Sequence, residues 1–158
     1  MDGKTELLRH TVATVAYRAG KAARGAPPEF AEYRAAPGSR TPAEILAHVG
    51  DLFDWALRMC DGKREWHNSP PLAWDEGVAR LFASLEAFDR RLGSGAHLGY
   101  PAEQIFQGPI ADALTHVGQI AMLRRMAGYK IKGENYFASK IEAGRVGSEQ
   151  AAAVVEFE

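Results

Sequence analysis

Apolar residues recur along this chain at helical spacing in four stretches, separated by segments rich in proline and glycine. Over residues 5–23, Leu8, Val12, Val15 and Ala19 keep the i, i+4, i+7, i+11 rhythm of one apolar stripe. The next stretch, GAPPEFAEYRAAPGSR, holds three prolines and two glycines, so it reads as a long connection from which Phe30 and Tyr33 can pack down. The second helix has the sharpest start: Thr41 fits the N-cap, Pro42 the first helical position and Glu44 the third, a capping box. Ile45, Val49, Leu52 and Ala56 then form its apolar face, and Asp61-Gly62 ends it. KREWHNSPP is a polar loop. A third helix over 73–92 carries Val78, Leu81, Phe82, Leu85 and Phe88, and Gly93-Ser94-Gly95 stops it. Residues 96–107 read as a loop or a weak helical lead-in to a fourth helix over 109–127, with Gly128 at its C′ position. In the final stretch, 129–158, the pattern predicts a short helix over 134–143, closed by Gly144, and then an extended tail. No strand pattern of useful length appears.

Four amphipathic helices imply an all-α four-helix bundle. The 158 residues read as one domain, with 129–158 as a C-terminal extension lying on the bundle or on a dimer partner. Apolar residues make up 46% and charged residues 25%, the balance of an ordinary globular chain. A net charge of −1 leaves no basic stripe for nucleic acid. No apolar run approaches the roughly 18–20 residues that span a bilayer. MDGKTELLRHTVATV lacks the parts of a secretory signal, and Cys60 is the sole cysteine, which together point to the cytoplasm. Cys60 itself reads as a small hydrophobe near a helix end.

The chemistry, if there is any, lies among the histidines. His10 points away from the first stripe, and His67 and His97 fall in loops, so a solvated role is expected for all three. His48 follows Ile45 by three residues and precedes Leu52 by four, on the inward side of the second helix. His116 precedes Ile120 by four and Leu123 by seven on the fourth helix, and Asp112 stands one turn before it. Two imidazoles and a carboxylate on inward faces are costly to bury without partners. They either share a divalent metal, leaving open positions for water or substrate, or form a hydrogen-bonded polar core with Asp112 near the helix start. Gln119 reads equally as a hydrogen-bonding member of such a site or as a buried amide satisfied by backbone. Trp55, Trp66 and Trp74 read as core or interface anchors, Met122 and Met126 as core or dimer surface, and Arg124-Arg125 as the basic end of a helix.

Two segments, TPAEILAHVGDLFDWAL and ADALTHVGQIAMLRRMAG, resemble the two signature helices of the DinB-like (DinB/YfiT-like) family. Glu44-Ile45-Leu46-Ala47-His48 is similar to the family's E-L-x-x-H, and His116, Gly118, Gln119, Ile120, Leu123 and Gly128 fall into the frame of its second signature. The resemblance implies a variant up-and-down four-helix bundle, a homodimer, and a divalent-metal site (Zn, Ni, Fe or Mn) on His48, His116 and Asp112. Asp112 stands where the family usually has a further histidine, a substitution that alters the charge at the site. The resemblance further implies a transferase or isomerase that uses a low-molecular-weight thiol on a small electrophile. The competing expectation is a non-catalytic dimeric bundle, for stress response or ligand binding, whose polar trio is structural.

Overall fold

A computed structural model describes residues 2–158. The helices are α1 (Gly3–Ala23), α2 (Pro42–Cys60), α3 (Trp74–Gly93), the single turn α4 (Ala102–Ile105) and α5 (Ala111–Met126). A π-helical turn, Phe106–Ile110, joins α4 to α5, so these three pieces form one rod and the fold is an all-α bundle of four rods. Two α-helix N-termini carry side-chain caps, of which only that at Thr41 is read from the sequence. Asp2 accepts from the backbone of Lys4 and Thr5 at 3.0 and 3.1 Å, which starts α1 at Gly3 rather than residue 5. Thr41 Oγ1 accepts from Glu44 N at 3.2 Å, while Glu44 Oε2 accepts from Thr41 N at 2.7 Å, closing the capping box of α2.

Contacts between rods fix their directions. Arg80 on α3 reaches Ala47 and Asp51 of α2, and Arg91 reaches Cys60 and Asp61, so α2 and α3 run parallel. Arg9 pairs with Asp89 and Gly20 lies beside Phe82, setting α1 antiparallel to α3. Lys4 pairs with Glu103 and Arg124 reaches Ala22, so α1 runs with the α4–α5 rod. His48 meets His116 and Trp55 meets Gly108, setting α2 against that rod. The order is up, down, down, up, with α1 diagonal to α2 across the bundle. Parallel neighbours cannot be joined by a tight turn. Residues 61–73 therefore return along α2, laying Trp66 against Trp55 and bonding Ser69 to Asp51.

The predicted stripes meet in the middle: Val12, Val15, Val49, Ala56, Leu85 and Phe88 are fully buried, and Val78 lies at the margin. Phe30 in the first connection is also fully buried, edge-on to Trp74 at 5.1 Å and to Tyr129 at 6.2 Å. Arg124 is buried as well. Its guanidinium donates to Ala22 O and Arg24 O, and its Nε to Tyr129 O, so it satisfies carbonyls left open where α1 ends.

The predicted helix over 134–143 does not form. In its place stand a short 3₁₀ turn, Tyr136–Ala138, and β1 (Gly133–Glu134), paired antiparallel with β2 (Glu156–Phe157). Tertiary anchoring overrides the local pattern. The Glu134 side chain is wholly buried and accepts from Tyr17 Oη, Lys21 Nζ and Ser139 Oγ, which a helix starting there could not arrange. Gly133 lies so close under Phe157 that a Cβ would sit 2.4 Å from the ring. Of the tail's aromatic rings, Tyr129 packs on Phe30 and Tyr136 on Tyr17 within the chain, while Phe137 is 99% exposed.

Candidate metal centre

α2 and α5 cross where His48 and His116 face one another, with ring centroids 4.6 Å apart and planes nearly perpendicular. Asp112, one turn before His116, offers one carboxylate oxygen to each ring: Oδ2 lies 3.4 Å from His48 Nε2 and Oδ1 lies 3.4 Å from His116 Nε2. The three residues named from the sequence thus stand together, and all three ligand atoms lie within 4.8 Å of one another. A separation of 3.4 Å is long for a hydrogen bond. It is close to the spacing of about 3.3 Å between ligand atoms on a tetrahedral ion with bonds of roughly 2.0–2.1 Å. The donor set is that of a divalent-metal site, and this group could hold a metal ion.

Two further features suit the imidazoles to that task. His116 Nδ1 lies 2.7 Å from Gln119 Oε1. A carbonyl oxygen can only accept, so Nδ1 carries a proton, and in the neutral ring Nε2 then presents its lone pair to the cluster. Burial, and then the neighbouring His116, push the His48 imidazole below its ordinary pKa; the nearby Asp112 carboxylate opposes this, and Arg40 adds to it. A neutral imidazole is the form that binds a metal. Trp66 stands edge-on to His48 at 5.5 Å and is 40% exposed, so it screens the site from the loop side rather than filling the core.

The trio does not lie in a closed core. Its two histidines line a cleft of about 540 Å³ whose walls are Ile45 and Ala35 on one side and Met122, Leu123 and Met126 on the other, while Asp112 lies outside that lining. That volume falls within the roughly 300–1,000 Å³ of small-molecule sites. A larger hollow, about 670 Å³, lies between the start of α1 and residues 95–103, but no convergent ligand set faces it.

A second cluster, Asp51, Asp54 and His67, has a different character, and it places His67 in contact rather than in solvent as the sequence suggested. Arg80 lies 2.6 Å from Asp51 and 2.8 Å from Asp54, already occupying the position a metal cation would take. His67 Nε2 adds a contact at 3.0 Å, and Ser69 donates to Asp51 through N and Oγ at 2.8 and 2.7 Å. Burial pushes the Asp51 carboxyl up, but the bonds from Ser69 and Arg80 outweigh it and hold it below its ordinary range. This is an ion-pair knot pinning residues 61–73 to α2 and α3. His10 and His97 are exposed, as expected. Cys60 is buried and its thiol is pushed up to about 11 by burial, which makes it inert at neutral pH.

Sequence reasoning passed over Arg40 and the placement of Trp66. Arg40 directly precedes the N-cap Thr41, and only the bend of the first connection carries it to the cleft. Among the described residues no helix is long and apolar enough to cross a membrane. Compared with known proteins, the chain matches no protein-family model, no curated protein and no solved structure.

Proposed function

We propose that the protein is a divalent-metal-dependent enzyme acting on a small molecule held between α2 and α5. The observation that carries this reading is the convergence of His48, Asp112 and His116, two of which, His48 and His116, line an open cleft. The alternative, a structural polar trio, would call for short mutual hydrogen bonds in a closed core; the contacts to Asp112 are 3.4 Å and its side chain is 47% exposed. His48 and His116 would bind through Nε2, with Asp112 as the third ligand and Gln119 holding the His116 ring in register. A bound divalent ion lowers the pKa of the water or thiol it coordinates and so supplies a nucleophile at neutral pH. The apolar walls exclude water from the substrate's body, and Trp66 shelters the His48 side.

The resemblance of the His48 and His116 helices to the DinB-like family extends the proposal. It suggests a thiol-dependent transferase or isomerase acting on a small electrophile in the cytoplasm. Homodimerisation belongs to the same reading and is supported by Phe137, an almost fully exposed ring on the tail. A sedimentation mass of about 17 kDa, that of one chain, would remove it.

Elemental analysis of protein made without a metal-binding tag tests the site. The expected result is about one equivalent of a divalent metal, lost in both His48→Ala and His116→Ala while the helical circular-dichroism signal persists. Metal-free protein that also refuses added Zn²⁺, Ni²⁺, Fe²⁺ and Mn²⁺ would overturn the enzyme reading.

A further inference from the structure

One cation on the cleft wall has no partner. Arg40 lines the cleft together with His48 and His116, is exposed, and makes no hydrogen bond or ion pair among the described residues. Its neighbour Arg34 is already engaged, with Glu44 at 3.6 Å and with Ser39 O. No carboxylate lines the cleft wall. Glu44, the nearest acid on α2, is turned back onto the Thr41 backbone. Met122 and Met126 on the opposite wall are more than half exposed, flexible apolar side chains with nothing packed over them. The cleft therefore has three distinct parts: two imidazoles on its floor, an apolar middle, and an unspent guanidinium at its rim. The seven residues from Thr41 to His48 rise about 10 Å along α2, so floor and rim stand several carbon–carbon bonds apart.

We infer that the substrate is a small organic anion with an apolar body, its carboxylate, phosphate or sulfonate gripped by Arg40 and its other end directed at His48 and His116. The placement of that other end rests on the metal reading; the grip by Arg40 does not. A guanidinium presents a planar fork of donors that matches an oxyanion, and such charge-assisted bonds are stronger than neutral ones. Its field reaches the floor of the cleft, since Arg40 is among the charges that act on His48. Methionine walls accept stems of varied shape, so selectivity rests on the two ends of the ligand.

The test uses hexane-1-sulfonate, an anion with an apolar stem and a poor metal ligand, against hexan-1-ol as its neutral match. Binding is measured by calorimetry to the full chain with and without Zn²⁺, and zinc content is measured separately. The sulfonate is expected to bind at least about fivefold tighter than the alcohol. Arg40→Gln, at an exposed and partnerless position, should bring the ratio to about one while zinc content stays unchanged. Met126→Glu, which places an anion on the wall about 15 Å along α5 from His116, should weaken the sulfonate and spare the alcohol. Equal binding of sulfonate and alcohol, or a preference that survives Arg40→Gln, overturns the inference whether or not zinc is held. A preference that depends on Arg40 in protein that holds none of Zn²⁺, Ni²⁺, Fe²⁺ and Mn²⁺ supports the anion grip and removes the metal reading alone.

Discussion

Asp51 and His48 stand one helical turn apart on α2, and their surroundings send them in opposite directions. Asp51 is 2% exposed and its carboxylate is saturated by Arg80, His67 and Ser69. His48 keeps its ring nitrogen near two other ligand groups with no short bond to either. The difference separates a structural polar residue from a functional one on physical grounds: one has every lone pair assigned, the other does not. Asp51→Ala should destabilise the fold by about 1–3 kcal/mol, because it takes from the partly buried Arg80 guanidinium one of its two carboxylates and from both Ser69 donors their acceptor. Urea unfolding of the variant reads this directly; a loss below about 0.5 kcal/mol would mean that Asp54 and water replace the carboxylate. The sequence made His48, Asp112 and His116 legible because each sits at a fixed helical distance from apolar neighbours. The placements of His67 and Arg40 were not legible, since both lie in irregular chain whose path no local spacing dictates.

At the level of elements, the helices with apolar stripes were readable and the irregular turns between them were not. The rod from Ala102 to Met126 shows why. Ile105 and Ile110 are both fully buried, five residues apart, whereas Ile110, Ala113, Val117 and Ile120 step by three or four. A step of five is the mark of a π turn, which inserts a residue and rotates the rest of the helix by about 100°. To an eye tuned to 3.6, the interruption breaks the stripe and looks like a loop. That turn, with Pro109 inside it, sets the rotation at which α5 starts and so aims Asp112 and His116 at α2. The connection before the rod contains a tighter constraint. Gly99 N donates to Cys60 O at 2.9 Å, and a Cβ at Gly99 would fall 2.2 Å from Gly62 N and 2.9 Å from Met59 O. These are backbone atoms, which cannot swing aside as a side chain can. Gly99→Ala should therefore push the connection off the end of α2 and lower stability by about 1–3 kcal/mol. Thermal unfolding of the variant measures it, and an unchanged Tm would show that residues 94–101 relax freely.

The whole molecule combines a mainly apolar core with two peripheral segments held by carboxylates. Phe30, Phe53, Leu81, Leu85 and Phe88 pack the bundle through apolar contact, which pH does not alter. Residues 61–73 are pinned through Asp51, and the tail is pinned through Glu134, buried against Tyr17, Lys21 and Ser139. Burial pushes both carboxyls up, but their bonds outweigh it: Ser69 and Arg80 hold Asp51 below its ordinary range, and Lys21, Ser139 and Tyr17 do the same for Glu134. A carboxyl whose folded pKa is depressed contributes stability that is fully present above its unfolded pKa and is lost as pH falls through the folded value. The two anchors should hold throughout the neutral range and weaken together below about pH 4. Helices whose stability comes from apolar burial have no such dependence of their own. Acid should thus release the return loop and the tail before the rods separate. Trp66, carried on that loop beside Trp55 and His48, reports the first event through its fluorescence, and far-ultraviolet circular dichroism reports the second. The fluorescence transition is expected at higher pH than the loss of helix, with pepsin cutting first within 61–73 and 129–158. Coincident transitions would mean that loop, tail and bundle unfold as one cooperative unit, with the carboxylate pins contributing to the core itself rather than to its edges.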